Sequence, residues 1–233
     1  MLTFSSAIAL WLCVTCGICF GLLPYSKSNP TEAITGNWVV TSLIFFNNLN
    51  IFIAICEICL GLHIKFIQSD YRQLLAKYKG KEWDGIFALF LKPLTFSDLF
   101  DGKTWALMWS NYALFDPSYQ NQESFGFFID VGNGWTTILP CLLLNAAMIH
   151  PDLVSPLLVG CVTIASYWQM LYGTLIYFLS FLFNKRYEGH NVVSLGLFVA
   201  FTNGIWIGFP SVAIYAAVEI LRDGNFDVFA FNS

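Results

Sequence analysis

The sequence predicts an all-α fold, a polytopic bundle of about five transmembrane helices with an intramembrane cavity. Two features of composition lead to this prediction: 57% of the 233 residues are hydrophobic and only 11% are charged, against about 25% in soluble domains. So few charges cannot cover the surface of a soluble domain, and a disordered chain would need low hydrophobicity and high charge. With 11 basic and 15 acidic residues, the chain also lacks the basic surface that nucleic-acid binding requires.

The third observation is that five segments are long and apolar enough to cross a bilayer core, which takes about 20 residues. The predicted spans are residues 2–23, 38–62, 125–149, 153–183 and 197–221. The first lacks the charged start and the cleavage site of a signal peptide, so we expect it to be retained as a span. Three charged side chains fall within these segments: Glu57, Asp130 and Glu219.

The connection from residue 69 to residue 124 differs from the spans because it mixes charged and aromatic residues. Turn signals occur within it at Lys92-Pro93 and Asp116-Pro117. We expect it to form amphipathic segments that lie on the membrane surface. The whole chain, residues 1–233, is predicted to be a single transmembrane domain whose best-supported core is residues 38–221.

Polar and aromatic side chains repeat at helical spacing within the spans, which places them on one face of each helix. The predicted inward-facing set includes Asn50, Glu57, Asp130, Gln169, Tyr177, Asn203 and Trp206. Hydrogen bonds between helices, worth about 0.6 kcal/mol each, would explain the amides. That explanation does not need a titratable group, so we interpret Glu57 and Asp130 as functional residues.

Glu57 and Asp130 are the predicted catalytic residues. A carboxyl group that holds its proton can act as a general acid, and an ionised one can act as a base. The face of the Trp206 indole can stabilise a cation, most strongly where water is excluded. This combination suits double-bond migration, or a cyclisation that begins by protonating an alkene or an epoxide. The chemistry needs no cofactor, and no His lies at ligand spacing from a Cys cluster to suggest a metal site.

Seven cysteines leave a second chemistry open. Cys56 and Cys59 form a C-x-x-C spacing in the second span, and the first span has the same spacing; thiol oxidoreductases use it. Cysteine is also a small apolar residue that suits contacts between helices, and we favour that interpretation.

Three blocks of sequence, in order between residues 105 and 221, resemble the motifs of one known family. They are W-x-x-Y-A-x-x-D-x-x-Y from Trp109 to Tyr119, Q-x-x-Y-G-x-x-x-Y-F from Gln169 to Phe178, and N-x-x-W-x-x-x-P from Asn203 to Pro210. Asp130 follows the first block, and the second has one residue more than the family pattern after Gln169. In these features the chain resembles the emopamil-binding protein (EXPERA) superfamily, which contains sterol Δ8–Δ7 isomerases and sigma-two receptors.

The resemblance implies a membrane isomerase or cyclase of the endoplasmic reticulum that acts on a sterol-like or terpenoid substrate. The acid pair would carry out proton transfer through a carbocation. The predicted substrate-binding residues are Asn203, Trp206, Gln169, Tyr177, Asn50, Tyr112, Trp109 and Asp116. The expected partners are the hydrophobic substrate and the lipid bilayer, with no nucleic acid, and a homodimer stays open.

One departure from the family pattern leaves a second function open. The resemblance places a His four residues before the Glu of the isomerases, whereas Ile53 stands at that distance from Glu57. The alternative function is therefore a non-catalytic sterol- or lipid-binding protein of the sigma-two receptor type.

Overall fold

The computed structural model describes residues 2–24 and 36–230, and this part of the chain is mostly helical, as the predicted all-α class requires. The α-helices are α1 (Phe4–Leu22), α2 (Trp38–Leu62), α3 (Ile64–Tyr78), α4 (Glu82–Phe90), α5 (Gly102–Tyr112), α6 (Phe125–Thr136), α7 (Ile138–Ile149), α8 (Pro156–Phe183), α9 (Val192–Leu195) and α10 (Thr202–Asp223). Short 3-10 helices cover Ser97–Phe100, Pro117–Gln120, Pro151–Leu153 and Asp227–Phe229. A π-helical segment, Gly196–Phe201, joins α9 to α10.

A two-residue antiparallel pairing accompanies the helices. Strand β1 (Leu2–Thr3) pairs with β2 (Pro93–Leu94), and Leu2 lies opposite Leu94. The pairing fixes the start of the chain to the connection that leads from α4 to α5.

Three helices of the described chain are long and apolar enough to cross a membrane: α1, α2 and the continuous helix Val192–Asp223. A fourth is obtained if α6 and α7 form one bent span. The remaining predicted span corresponds to α8, which has 28 residues but is not among these helices. Aromatic and amide residues, including Trp168 and Gln169, lower its mean hydropathy. These helices are compatible with a membrane protein, and the count of about five spans stays a prediction.

The predicted third span, residues 125–149, is not one straight helix. It divides at Thr137 into α6 and α7, whose axes differ by 45°. Pro140 provides a local cause, because it lacks the N–H that would bond the carbonyl of Thr136 and its ring crowds that carbonyl. The mean hydropathy of a segment does not reveal such a break in the helix.

The chain divides into two compact units. Unit 1 consists of residues 1–10, 53–135 and 176–202, and unit 2 consists of residues 11–52, 136–175 and 203–233. Helices α2 and α8 each contribute residues to both units.

Unit 1 contains the connection 69–124, which folds largely into helices. Helix α3 buries Ile64, Ile67 and Tyr71 on one face and packs against α5. The Ser110 hydroxyl of α5 donates a hydrogen bond to the Asp70 carboxylate of α3. The expected amphipathic character is thus present in α3, and its location at a membrane surface stays a prediction.

Unit 2 combines an apolar core with buried amides. The fully buried ring of Phe46 in α2 stacks on Phe209 of α10, with centroids 5.3 Å apart. Helices α8 and α10 approach closely at Gly160, where an added Cβ would lie 2.5 Å from the Cγ atom of Leu221. A side chain at that position of α8 would therefore require the Leu221 side chain to shift.

Candidate functional site

Glu57 lies on the part of α2 that belongs to unit 1 and is 3% exposed. Its Oε2 atom is buried and has no hydrogen-bond partner in the described chain. A buried carboxyl oxygen without a partner costs stability, because the lost hydration is not replaced. An unsatisfied group of this kind is a candidate for a role outside packing.

Gly134 of α6 allows the backbone of α2 to approach beside Glu57. A Cβ at Gly134 would lie 2.8 Å from the backbone nitrogen of Ile58 and 2.9 Å from both the carbonyl oxygen of Ala54 and the Cβ of Glu57. Two of these three atoms belong to backbone, which cannot move aside as a flexible side chain can. Close packing of α6 on α2 therefore depends on glycine at this position.

Replacing Gly134 by Ala is expected to lower the free energy of unfolding by about 1–3 kcal/mol, the usual cost of overpacking. Gly132→Ala is the matched control on the same helix, because a Cβ there meets no atom within 4 Å. The control should be neutral or stabilising by about 0.5–1 kcal/mol, since alanine favours helix more than glycine. Thermal unfolding in detergent measures both, and equal effects of the two variants would contradict the close packing.

Asp130 of α6 is half-buried and lies near other titratable groups of unit 1. Its carboxyl interacts electrostatically with those of Glu57 and Asp116, and the phenol of Tyr119 interacts with it directly. Two carboxyl groups within electrostatic reach of each other repel when both are ionised. The structure thus brings together the two predicted catalytic residues, Glu57 and Asp130.

Asp116 is held by a buried ion pair. Its side chain is 0% exposed, and the Arg186 guanidinium, 14% exposed, donates hydrogen bonds to Oδ1 at 3.0 Å and Oδ2 at 2.8 Å. The Tyr177 hydroxyl donates to Oδ2 at 2.7 Å, and the backbone N–H of Ser118 donates to Oδ1 at 3.0 Å. The guanidinium neutralises the carboxylate, and the four hydrogen bonds together hold the turn that begins the 3-10 helix carrying Tyr119.

Aromatic rings of the first sequence block surround Tyr119. Trp109 stacks on it with ring centroids 5.2 Å apart, and Tyr112 meets it edge to face at 4.8 Å. The Trp109 indole N–H donates to the Cys56 carbonyl at 2.7 Å, which ties α5 to α2. Burial raises the pKa of the Tyr119 phenol well above its usual value, and nearby Asp130 adds to this effect. The phenol therefore stays protonated.

Six of the predicted site residues thus meet in unit 1: Glu57, Asp130, Asp116, Trp109, Tyr112 and Tyr177. The sequence analysis did not select Arg186 as a site residue. A single Arg that follows α8 forms no sequence pattern that would link it to Asp116. Tyr119 was read as part of a motif, without a role of its own. The only feature of the sequence that could have indicated a role for Tyr119 was its spacing of three residues from Asp116.

The remaining predicted residues belong to unit 2, where Asn50 and Trp206 contact each other. The Trp206 indole N–H donates to Oδ1 of Asn50 at 2.8 Å, and the Asn50 amide donates to the Thr137 hydroxyl at 3.0 Å. Gln169 donates to the Thr136 hydroxyl at 3.0 Å. These contacts give Asn50, Trp206 and Gln169 a role in joining helices. Their predicted role in substrate binding, and that of half-buried Asn203, stays a prediction.

A second buried network in unit 2 contains a tyrosine that the sequence analysis did not select. The Asn47 amide donates to Oδ1 of Asn145 at 2.8 Å, and the Tyr167 hydroxyl donates to Oδ1 of Asn47. Tyr167 and Met170 of α8 are fully buried, whereas Gln169 between them is half-exposed. Tyr177, which was also predicted to face inward, is buried, so the predicted face of α8 differs from the buried one at Gln169 and not at Tyr177.

The Asn50–Trp206 contact can be measured by a double-mutant cycle. Asn50→Ala, Trp206→Phe and the double variant should give a coupling energy of about 0.6 kcal/mol, with about 1.7 kcal/mol as an upper value for bonds between membrane helices. Thermal or chemical unfolding in detergent provides the free energies. A coupling energy of zero would show that the hydrogen bond does not join α2 to α10.

The cysteines form no disulfide in the structure: all seven are free thiols. Cys56 and Cys59 are buried, whereas Cys13 and Cys161 are exposed. Across residues 2–24 and 36–230, no three or more His, Cys, Asp or Glu side chains are grouped so that they could hold a metal ion. The redox interpretation therefore gains no support from the arrangement of the thiols.

Comparisons of the chain with protein-family models, with curated proteins and with solved structures found no match. The resemblance to the emopamil-binding family therefore rests on the three sequence blocks. The first of these blocks supplies Trp109, Tyr112, Asp116 and Tyr119, which the structure places together in unit 1.

Proposed function

We propose that the protein is a membrane-embedded isomerase or cyclase that acts on a sterol-like or terpenoid substrate through a carbocation. The observation that carries this proposal is the pair Glu57 and Asp130, two interacting carboxyl groups on apolar helices of unit 1. Inserting an acidic side chain at the centre of a membrane helix costs about 3 kcal/mol on insertion scales, so such a residue usually has a function. Hydrogen bonding within the fold does not explain Glu57, since its Oε2 atom has no hydrogen-bond partner in the described chain.

In the proposed reaction one carboxyl of the pair gives its proton to a carbon of a double bond or to an epoxide oxygen. The π electrons form the new C–H bond, or the C–O bond breaks, and a carbocation remains. The other carboxylate then removes a proton from a neighbouring carbon, and the electrons of that C–H bond form a new double bond. The pair thereby exchanges roles, with one proton given and one taken.

The aromatic residues around the acids suit a cationic intermediate. Trp109, Tyr112 and Tyr119 present rings within one cluster, and the face of an aromatic ring attracts a cation, most strongly without competing water. The Asp116–Arg186 ion pair neutralises the third nearby carboxylate. The proton-transfer chemistry is thereby assigned to Glu57 and Asp130.

Incubation of the purified protein, in lipid nanodiscs, with a sterol bearing an 8,9 double bond and with an epoxidised terpenoid tests this function. The expected result is an isomer of the substrate, identified by mass spectrometry and NMR, with no cofactor added. Lipids extracted from the purified protein would name the substrate class directly. Return of every candidate unchanged after long incubation would contradict the proposal.

Non-catalytic sterol or lipid binding is the second candidate function. Ile53, four residues before Glu57, favours it, because the resemblance places a proton-transferring His at that position in the isomerases. In this case the aromatic cluster and the acids would hold a lipid that co-purifies with the protein. Any product whose formation depends on Glu57 or Asp130 would exclude this candidate.

We also propose membership of the emopamil-binding superfamily and residence in the endoplasmic reticulum. The three ordered sequence blocks support the first, and the family's location supports the second. Co-localisation of a tagged protein with a marker of the endoplasmic reticulum membrane tests the location, and a signal confined to the plasma membrane would contradict it.

A further inference from the structure

A cavity of about 420 Å³ lies in unit 2, beside the ends of four helices. Its lining comes from the last turn of α7, from the first residue of α8 and from the residues that follow α1 and α10. Helices α1 and α10 belong to the candidate membrane spans, so the cavity lies where these spans end. Its volume is within the usual range of small-molecule sites, about 300–1,000 Å³.

One wall of the cavity, residues 224–230, is held in place by Asn37. The Asn37 amide donates hydrogen bonds to the carbonyl oxygens of Val228 at 3.0 Å and Ala230 at 2.9 Å. Its Oδ1 atom accepts from two backbone N–H groups in the first turn of α2, at 2.9 and 3.2 Å. Because this wall is already fixed to α2, a ligand does not have to order it on binding.

Most of the lining residues are apolar, and two of them are aromatic. Met148 and Phe229 line the cavity and are themselves buried within the fold. The ring of Phe229 is nearly parallel to that of Phe226, at 10°, with centroids 6.2 Å apart. Such a lining suits the apolar chain of a ligand, and the face of an aromatic ring attracts a cation.

The charged residues that line the cavity are both acidic: Asp152 and Asp227. Neither carboxylate forms an ion pair within residues 2–24 and 36–230. Asp227 accepts a hydrogen bond from the neutral amide of Asn225 at 2.9 Å. The guanidinium of Arg222, at the end of α10, is already bound by two other carboxylates. The negative charge of the cavity is therefore not compensated by the described part of the chain.

We propose that this cavity binds an organic ammonium ion that carries an apolar chain. Asp152 and Asp227 attract the ammonium group, and the apolar lining contacts the chain. A bare metal ion fits less well, because Ca²⁺ takes six to eight oxygen ligands and no three His, Cys, Asp or Glu side chains of the described chain are grouped to hold a metal. A lipid head group and a free amine share this chemistry. The site is independent of the reaction assigned to Glu57 and Asp130.

Photo-crosslinking of an alkylammonium probe tests this site. The purified protein in dodecyl maltoside, an uncharged detergent, is irradiated with decylamine that carries a diazirine in its chain, at a concentration below saturation. Mass spectrometry of the peptides locates the label. We expect label on residues 147–156 and 224–230. Decanoic acid with the same diazirine should label these residues at least about tenfold less, equivalent to about 1.4 kcal/mol of binding free energy.

The double variant Asp152→Asn with Asp227→Asn should lower the amine label on these residues by at least about tenfold. Asparagine keeps the size of each side chain, and a melting curve shows whether the variant is folded. Glu123→Gln, at an exposed acid of unit 1, is the matched control and should leave the label unchanged. Equal labelling of the wild type and the folded double variant would overturn the proposal, as would absence of label from residues 147–156 and 224–230.

Competition distinguishes the two sources of the ammonium group. Unlabelled decylamine and phosphatidylethanolamine are added in turn, and phosphatidylglycerol is the control lipid. Loss of label with phosphatidylethanolamine identifies a lipid head group as the ligand, and loss with decylamine alone identifies a free amine. Equal loss of label with phosphatidylglycerol, which has no ammonium group, would contradict the recognition of an ammonium ion.

Discussion

Replacing Glu57 by Gln or Asp130 by Asn is expected to lower the rate of substrate isomerisation by about 10²–10⁴-fold, the contribution typical of a general acid or base. Each change keeps the size of the side chain and removes the titratable proton. The proposed reaction needs one group to give a proton and another to take one. Loss of either carboxyl group should therefore be enough to lower the rate. The rate is measured under saturating substrate in nanodiscs.

Glu219→Gln is the matched control for these variants. Glu219 is also an acid in a candidate span, but its carboxylate is bound by Arg222 at 2.6 Å and belongs to unit 2. The control should retain the wild-type rate, and melting curves should show that all three variants are folded. Full activity of folded Glu57→Gln and Asp130→Asn would remove both residues from the chemistry.

Replacing Arg186 by Gln is expected to lower the free energy of unfolding by about 3–5 kcal/mol, the usual cost of removing one partner of a buried ion pair. The change leaves the fully buried Asp116 carboxylate with fewer donors than it has in the wild type. Lys185→Gln is the neighbouring control, because its contact with Glu188 is exposed and 3.7 Å long. Such surface pairs contribute about 0–1 kcal/mol.

The double variant Asp116→Asn with Arg186→Gln sharpens this prediction. It removes both charges, so it should be more stable than Arg186→Gln alone, and the buried charge is then identified as the source of the loss. Unfolding in detergent provides the free energies. A single variant no less stable than Lys185→Gln would contradict the structural role of the ion pair.

Hydropathy and charge placement were sufficient to predict the helical class and the bounds of individual helices. The second span, predicted as residues 38–62, coincides with α2, and the first corresponds to α1 within a few residues. The break at Thr137 was not predictable from hydropathy, because Pro140 acts through one carbonyl and does not change the apolar average. Helix α8 is continuous over 28 residues, but side chains such as Tyr167 and Gln169 lower its mean hydropathy, so its crossing of a membrane stays a prediction.

The candidate site could be predicted where a single residue was unusual in its surroundings. Glu57 and Asp130 were selected because acids are rare in apolar segments, and the structure places them within electrostatic reach of each other. Arg186 could not be paired with Asp116, 70 residues away, because ion pairs between loops leave no periodic pattern. The role of Trp206 as a hydrogen-bond donor to Asn50 also depended on distances that spacing alone does not provide.

The central claim is that the protein transfers protons to and from a carbon skeleton by means of Glu57 and Asp130. Turnover in D2O tests this most directly, with the product analysed by mass spectrometry and NMR. The account predicts a product that carries deuterium from the solvent at the protonated position, and no such product with Glu57→Gln or Asp130→Asn. A product that forms without deuterium from the solvent, or equally well without the two acids, would contradict it.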